Sequence, residues 1–564
     1  MGNDEQRTGA EEAADPPREQ RQRRGASLVA LGIFLSRIAG LVRERVFAHY
    51  FGNSMAAGAF KAAIRIPNAL QNLFGEGVLS ASFIPVYAKL RAEGQEKLAD
   101  RVAGVVGSFL ALFVAVVVAA GMLLSEPLVS VIAPGFKGEA RELTVRLVRI
   151  LFPGVGLLVM SAWCLGILNS HRKFFISYVA PVFWSAAMIA AMIAFGGRVG
   201  QERLAVILAW GTVAGSLLQF GVQLPFVLQL AKGMRAGLDR TLEPVRAVFR
   251  NALPVIAGRG VVQLSAFVDE MIGSLLGAAA LAGIAYAQTL YMLPVSLFAM
   301  SIAAAELPEM SSALGTAEEI DAKLRARIGA AQRKIAFLVV PSIVAFLAIG
   351  TFLVSGLFET GKFGRADTHY VAYILGGYSV GLLAVTLGRL YSSAFYALRD
   401  TRTPLRFAMI RVVVAIGLGL TLAIPLRPWW VALMKSAGLR LPEVSNAEVA
   451  IGAVGLTIAG GIASWIELVL LRRALAARIG ATPMDGGFLA RVWCAALAGG
   501  AAGAAFGVYG AGAVISRLPL AFGLHRIGGA ICVAAVFGLV YLGVAALLRI
   551  EETGRVTRIF RRRG

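Results

Sequence analysis

The sequence predicts an all-α polytopic membrane protein of about fourteen transmembrane helices, built as two six-helix lobes plus a C-terminal helix pair. Three observations predict it. Of 564 residues, 57 % are hydrophobic and 16 % charged, with mean hydropathy +0.72; a soluble domain carries about 25 % charged residues. Apolar stretches of about 20 residues, enough to cross a bilayer, recur along nearly the whole chain. The basic residues also alternate sides. With both ends inside, 34 Lys/Arg fall in cytoplasmic segments and 11 in outside loops. That bias follows the orientation rule for membrane helices and supports an even number of spans.

Residues 1–26 are polar, acids first and then Arg21, Arg23 and Arg24, and read as a disordered cytoplasmic tail. An N-lobe over 27–230 holds six spans: 27–50, 55–87, 103–124, 142–168, 177–197 and 203–230. A C-lobe over 231–472 holds six more: 247–275, 281–308, 331–355, 369–397, 405–425 and 447–471. Residues 473–550 carry the last pair, 489–512 and 527–549, and 551–564 form a basic cytoplasmic tail. The second span is expected to be broken, because Pro67 removes a backbone donor and Gly75-Glu76-Gly77 follows. Irregular backbone at membrane depth is tolerated where it lines a cavity.

A faint repeat supports two lobes of like orientation. Ala57-Gly58, Pro67, Leu73-Phe74 and Pro85 are echoed by Ala282-Gly283, Pro294, Leu297-Phe298 and Pro308, about 225 residues later. In the thirteenth span, Gly503 and Gly507 read as a close-packing face.

Ten Lys/Arg lie inside the apolar spans, and Arg37, Arg43, Arg45, Lys61 and Arg65 crowd the first two. A charge at membrane depth is costly and faces a polar cavity or a partner. Five cations in two helices imply a cationic cavity, and such a cavity implies an anionic cargo. Arg37 and Glu44, seven residues apart, share a helix face. Arg45, near the outer end of its span, reads as snorkelling. Lys61 and Arg65 are one turn apart, and Glu76 reads as a cap or a partner for a nearby arginine.

The seventh span holds Arg259, Asp269 and Glu270. The two acids either bind a cation or proton or neutralise a neighbouring arginine. Glu306, Arg389, Arg411 and Glu467 are further charges inside spans, and Arg389, close to a cytoplasmic end, reads as snorkelling. Arg146 and Arg149 read as structural, with Glu142 the partner of Arg146.

Other classes fit poorly. The net charge of +22 sits in short loops between apolar runs, which argues against nucleic acid. Cys164, Cys494 and Cys532 have no pairing or metal spacing, and the four histidines form no ligand cluster. No cleavable signal peptide is visible. No Ser/His/Asp arrangement and no Gly-Lys-Ser/Thr phosphate loop is present, so the sequence predicts a transporter rather than an enzyme. No bound cofactor is expected. Uphill movement must draw on the membrane potential, Na+ or H+, with Asp269 ahead of Glu270 as the coupling residue, because Glu270 shares a helix face with Arg259.

At these residues the chain resembles the MurJ (MviN) family of lipid II flippases, within the multidrug/oligosaccharidyl-lipid/polysaccharide exporter superfamily. The resemblance rests on Ser36-Arg37 with Gly40, Arg43-Glu44, Phe51-Gly52, Ala59-Phe60, Arg65-x-Pro67-Asn68, Phe74-x-Glu76-Gly77 and Phe83-Ile84-Pro85. Further matches are Ala133-Pro134-Gly135-Phe136, Gly166-Ile167-Leu168-Asn169, Gln223-Leu224-Pro225, Gly361-Lys362-Phe363 and Tyr378-Ser379-Val380-Gly381. It implies a fourteen-helix inner-membrane flippase for peptidoglycan synthesis, with a cationic cavity for the diphosphate-sugar headgroup. The last two helices would form a groove for the polyprenyl tail. Arg37 and Arg43 match the family's cavity arginines, and Glu76 its acidic residue.

The chain departs from the pattern at Gly58, at Gln71 and at Gln288-Thr289, where relatives often carry charges. The residues expected to bind substrate are therefore Arg37, Arg43, Arg65, Gln71, Glu76 and Arg259, the last compensating for the missing cations. The resemblance implies lipid II and membrane lipids as partners, with other cell-wall synthesis proteins beside them. The rivals are a flippase for another undecaprenyl-diphosphate glycan of O-antigen type, a membrane glycosyltransferase and a small-molecule antiporter.

Overall fold

The computed structural model describes residues 18–299, 301–302, 306, 309–310, 316–436, 438, 449, 451–510 and 524–554; side chains are described from residue 31, without those of 67, 75, 76, 257–266, 299, 317, 434 and 524. Among them the backbone is helical apart from turns and one bridge, Thr360 to Phe363. In lipid every backbone polar group must be satisfied within its own segment, which leaves the helix as the only open-ended solution.

The order is α1 (Arg18–Phe51), α2 (Met55–Leu70), α3 (Val78–Ala92), α4 (Glu96–Leu123), α5 (Ser125–Ile132), α6 (Gly138–Ser170), α7 (Phe174–Phe195) and α8 (Gln201–Leu230). Then come α9 (Glu243–Leu275), α10 (Ala278–Pro294), α11 (Ala317–Ala348), α12 (Gly350–Phe358), α13 (Arg365–Ala397) and α14 (Arg402–Ala423). The last are α15 (Arg427–Ser436), α16 (Gly452–Ile479), α17 (Gly486–Ala505) and α18 (Leu524–Leu547).

Eleven helices among the described residues are long and apolar enough to cross a membrane. The protein is a multi-pass membrane protein. Helices α1, α2 and α9, which carry most of the intramembrane charge, are not among the eleven.

The structure refines four expectations. Helix α1 begins at Arg18, inside the stretch read as tail, because its Gln/Glu/Arg-rich start favours helix; residues 1–17 lie outside the described residues. The second span bends without breaking. A π-helical turn over Gln71–Gly77 joins α2 to α3 without interrupting the helix. The ninth span ends early, at Ile349, where the chain steps into the separate short helix α12. Finally, the start of the second half lies against the first. Loop 231–242 runs along α4: Gly233 N donates to Asp100 (2.9 Å), Gly237 N to the Ser108 hydroxyl (3.2 Å), and Arg101 pairs with Asp239 (3.0 Å). Hydrogen bonds from Thr241, with Arg101 nearby, hold the Asp239 carboxyl below its usual range. Val245 and Val248 at the start of α9 are buried with α3 and α4 residues, while Ile272 lies beside Gly419 and Leu276 beside Gly452 of the second half.

Helices α1, α2, α4, α6, α7 and α8 pack on one another, as do α10, α11, α13, α14 and α16. Helices α17 and α18 pack as a pair against α11 and α12. At Gly503 an added Cβ would stand 3.1 Å from Phe537 Cβ, and at Gly507 it would meet the Phe352 ring, so both glycines serve close helix packing.

The two halves meet where α2 crosses α10. A Cβ on Gly58 would stand 2.0 Å from the Ala278 carbonyl oxygen, so only glycine fits this crossing. The repeat reappears here in the backbone: α2 runs into a π turn at Gln71, and α10 into another at Val295, 224 residues later.

Candidate functional site

Helices α1, α2, α7, α9 and α10 enclose a cavity of about 180 Å³ that opens into a second of about 610 Å³ toward α13, α14 and α16. The first is lined by Arg43, Glu44, Lys61, Arg65, Asp269 and Glu270 among others; the second shares Arg65 and Asp269 and adds Arg389 and Arg411. Five cations and three carboxylates thus line the wall at membrane depth, and Glu467 behind it pairs with Arg411, which leaves an excess of one positive charge.

Pairing sets this pattern. Glu44 accepts from Arg43 (3.1 Å) and from Lys61 (2.5 Å), and all three are mostly buried. Arg43 also lies over the Trp184 ring, 4.7 Å from its centroid, and Lys61 over Phe47 at 4.4 Å. Arg65 pairs with Glu270 across the halves (3.4 Å) and donates to Gln288 (3.5 Å). Glu270 is 6 % exposed, whereas Asp269 is exposed on the cavity wall, in the fields of Arg411 and Arg65.

Of the residues expected to bind substrate, Arg43 and Arg65 line the cavity. Arg37 is exposed nearby and donates to the Ser296 hydroxyl of the second half (2.8 Å). Gln71 opens the π turn, and its neighbours Asn68 and Asn72, rather than Gln71 itself, reach the wall. The side chains of Glu76 and Arg259 lie outside the described residues.

Three placements differ from the sequence reading. Arg37 does not pair with Glu44, because Arg43 and Lys61 approach it more closely. Glu270 takes Arg65 from another helix. Arg45 crosses to the second half, where it donates to the Gly356 (2.7 Å) and Leu357 (2.8 Å) carbonyls at the end of α12, groups that lack helical partners.

Arg389 and Arg411 are the wall residues that sequence spacing does not reveal. Neither has a carboxylate within its own predicted span, and Arg411's partner, Glu467 (3.1 Å), lies on α16, 56 residues away.

At the Phe51 end the halves are latched. Lys362 N donates to the His49 carbonyl (2.8 Å), the Tyr286 hydroxyl to the Gly52 carbonyl (2.8 Å), and Thr360 meets the His49 ring (2.8 Å). Phe47, Tyr286, Phe358 and Phe363 close this end with tilted and edge-on rings.

A family model described as lipid II flippase MurJ matches residues 47–439. The chain belongs to the MurJ family. A Burkholderia cenocepacia protein described as "Lipid II flippase MurJ" is 30 % identical over 443 residues, 78 % of this chain and 80 % of that one. A Rhizobium meliloti protein, "Probable lipid II flippase MurJ", is 33 % identical over 401 residues, covering 69 % and 72 %. The fold matches a solved lipid II flippase MurJ in an inward closed conformation, with TM-score 0.70 at 21 % identity over 92 % of this chain and 98 % of that one. An inward-facing MATE transporter of the MOP superfamily matches with TM-score 0.59 at 18 % identity, over 78 % and 95 %.

The Glu44 cluster yields a stability prediction. Removing one partner of a buried pair costs about 3–5 kcal/mol. Glu44→Gln and Lys61→Met should each lower the thermal midpoint in detergent, and the double variant should recover much of the loss. Losses that simply add would show that the two side chains do not stabilise each other.

Proposed function

We propose that the protein moves lipid II across the cytoplasmic membrane by alternating access, as a transporter and not an enzyme. The observation that carries this reading is the cavity between the halves, lined at membrane depth by Arg43, Lys61, Arg65, Arg389 and Arg411. A lipid-linked diphosphate carries about two negative charges, and burying them unpaired would cost several kcal/mol. Arginine suits the task, since its planar fork holds phosphate oxygens in pairs. Arg43, Arg65 and Arg37 are the diphosphate ligands in this reading. Family membership supports the cargo, and the latch at the Phe51 end supports a cycle in which one gate is shut while the other admits cargo. The cargo can bias the two states only through contacts that differ between them.

Arg37→Ala and Arg43→Ala should each abolish complementation of a flippase-depleted host while the protein still inserts. The check is growth together with a sidedness assay for lipid II. Normal growth of Arg43→Ala would place the headgroup elsewhere. Accumulation of a different lipid-linked glycan on depletion would favour the O-antigen-type cargo instead.

Both termini lie in the cytoplasm in this reading, on the 34-to-11 distribution of loop and tail cations. The latched end then faces outside. A phosphatase fused after Gly564 should be inactive; an active one would reverse the orientation.

Coupling to a cation, a proton or the membrane potential is assigned to Asp269. Glu270 is engaged by Arg65, while Asp269 stands exposed on the wall. Asp269→Asn should change the dependence of transport on potential, pH or sodium. Unchanged dependence on all three would remove Asp269 from that role.

A further inference from the structure

The second cavity poses a question that the diphosphate does not answer. The smaller cavity, about 180 Å³, holds the clustered N-terminal cations, whereas the larger, about 610 Å³, is of the size that accommodates a sizeable polar ligand. Its far wall belongs to the second half: Arg389 on α13, Arg411 on α14, and Thr457 and Ser464 on α16. Both arginines sit at similar depth. Arg389 lies eight residues before the end of α13 and Arg411 nine after the start of α14, about 12 and 14 Å along their helices.

Their electrostatic situations differ. Arg411 is engaged by Glu467 at 3.1 Å. Arg389 is exposed on the wall, and among the described residues no carboxylate pairs with it within 4 Å; it feels Glu467 only at longer range. An arginine held at membrane depth without a close counter-charge is costly, and it is retained where a ligand supplies the charge. Snorkelling does not account for it, because the side chain lines the cavity. The Arg411–Glu467 pair beside it satisfies its own charges, leaving Arg389 as the open donor.

We propose that Arg389, braced by the Arg411–Glu467 pair, forms a second anion subsite that binds a carboxylate of the cargo's peptide, while the diphosphate stays with Arg43 and Arg65. The inference rests on the lipid II reading. Such a headgroup carries its peptide several ångströms from the diphosphate and bears carboxylates that an arginine fork binds in pairs. The division puts the two charged parts of one headgroup on opposite halves of the protein, so cargo binding draws the halves together. It also places a compensating cation for Gln71 and Thr289 on α13, where the sequence alone pointed to Arg259.

The test uses full-length protein in nanodiscs and three probes: lipid II, undecaprenyl diphosphate, and lipid II with its peptide carboxylates amidated. Arg389→Gln should weaken lipid II binding by about tenfold or more, as expected for a charge-assisted bond, and leave undecaprenyl diphosphate within about twofold. Amidated lipid II should bind the native protein about as weakly as lipid II binds Arg389→Gln, with no further loss in the variant. Arg43→Ala should weaken all three probes. A native-like thermal midpoint for Arg389→Gln excludes misfolding as the cause. If Arg389→Gln weakens lipid II and undecaprenyl diphosphate equally, or neither, the subsite is wrong while the diphosphate assignment stands. If the native protein binds no lipid II, both the cargo reading and the subsite fall.

Discussion

The cost of placing charge inside a bilayer governs this structure. Each intramembrane cation must find a carboxylate, a ring face, a carbonyl or a ligand. Arg43 and Lys61 find Glu44 and aromatic faces, Arg45 finds the carbonyls at the end of α12, and Arg411 finds Glu467. Arg65 finds Glu270, which sits on a helix of the other half. Charge pairing therefore ties the halves together at the cavity, while the hydrogen bonds around Gly52, His49 and Lys362 tie them at one end. The cross-lobe ties at the cavity are the ones an anionic cargo would compete with.

The backbone serves the same constraint. Close approach of α2 and α10 at Gly58 leaves no room for a side chain and brings the two repeats into contact. Beyond that crossing both helices pass into π turns, which rotate the following residues relative to a regular helix. Asn68, just before the first turn, and Asn72 within it line the wall, while Ser296 within the second accepts from Arg37. Helix α9 meanwhile touches both halves, with Val245 and Val248 packed among α3 and α4 residues and Ile272 beside Gly419 of α14.

Much of the fold was legible in the sequence because the bilayer imposes strong rules on composition. Long apolar runs can only be helices, and the placement of Lys/Arg follows a one-dimensional bias. The crowding of cations in the first two spans pointed to a cationic cavity for the same reason. The motif at Arg37 to Pro85 carried the family, since its charged and glycine positions lie close together in the chain. The extent of α1, the π turn in place of a break after Pro67 and the attachment of loop 231–242 to α4 were not legible, because each depends on contacts made after the helices pack.

The sequence by itself thus determined the membrane class, the approximate spans, the family and the presence of buried charge. Tertiary structure alone decided which charges meet. Arg37 and Glu44 share a helix face, yet Glu44 is taken by Arg43 and Lys61; Glu270, placed on a face with Arg259, pairs with Arg65. Arg389 read as snorkelling near a cytoplasmic end and Arg411 as a further charge inside its span, yet both line the larger cavity. The reason is geometric. Periodicity fixes neighbours three or four residues apart on one helix, but an ion pair at membrane depth joins different helices, and helix packing rather than sequence spacing brings those together.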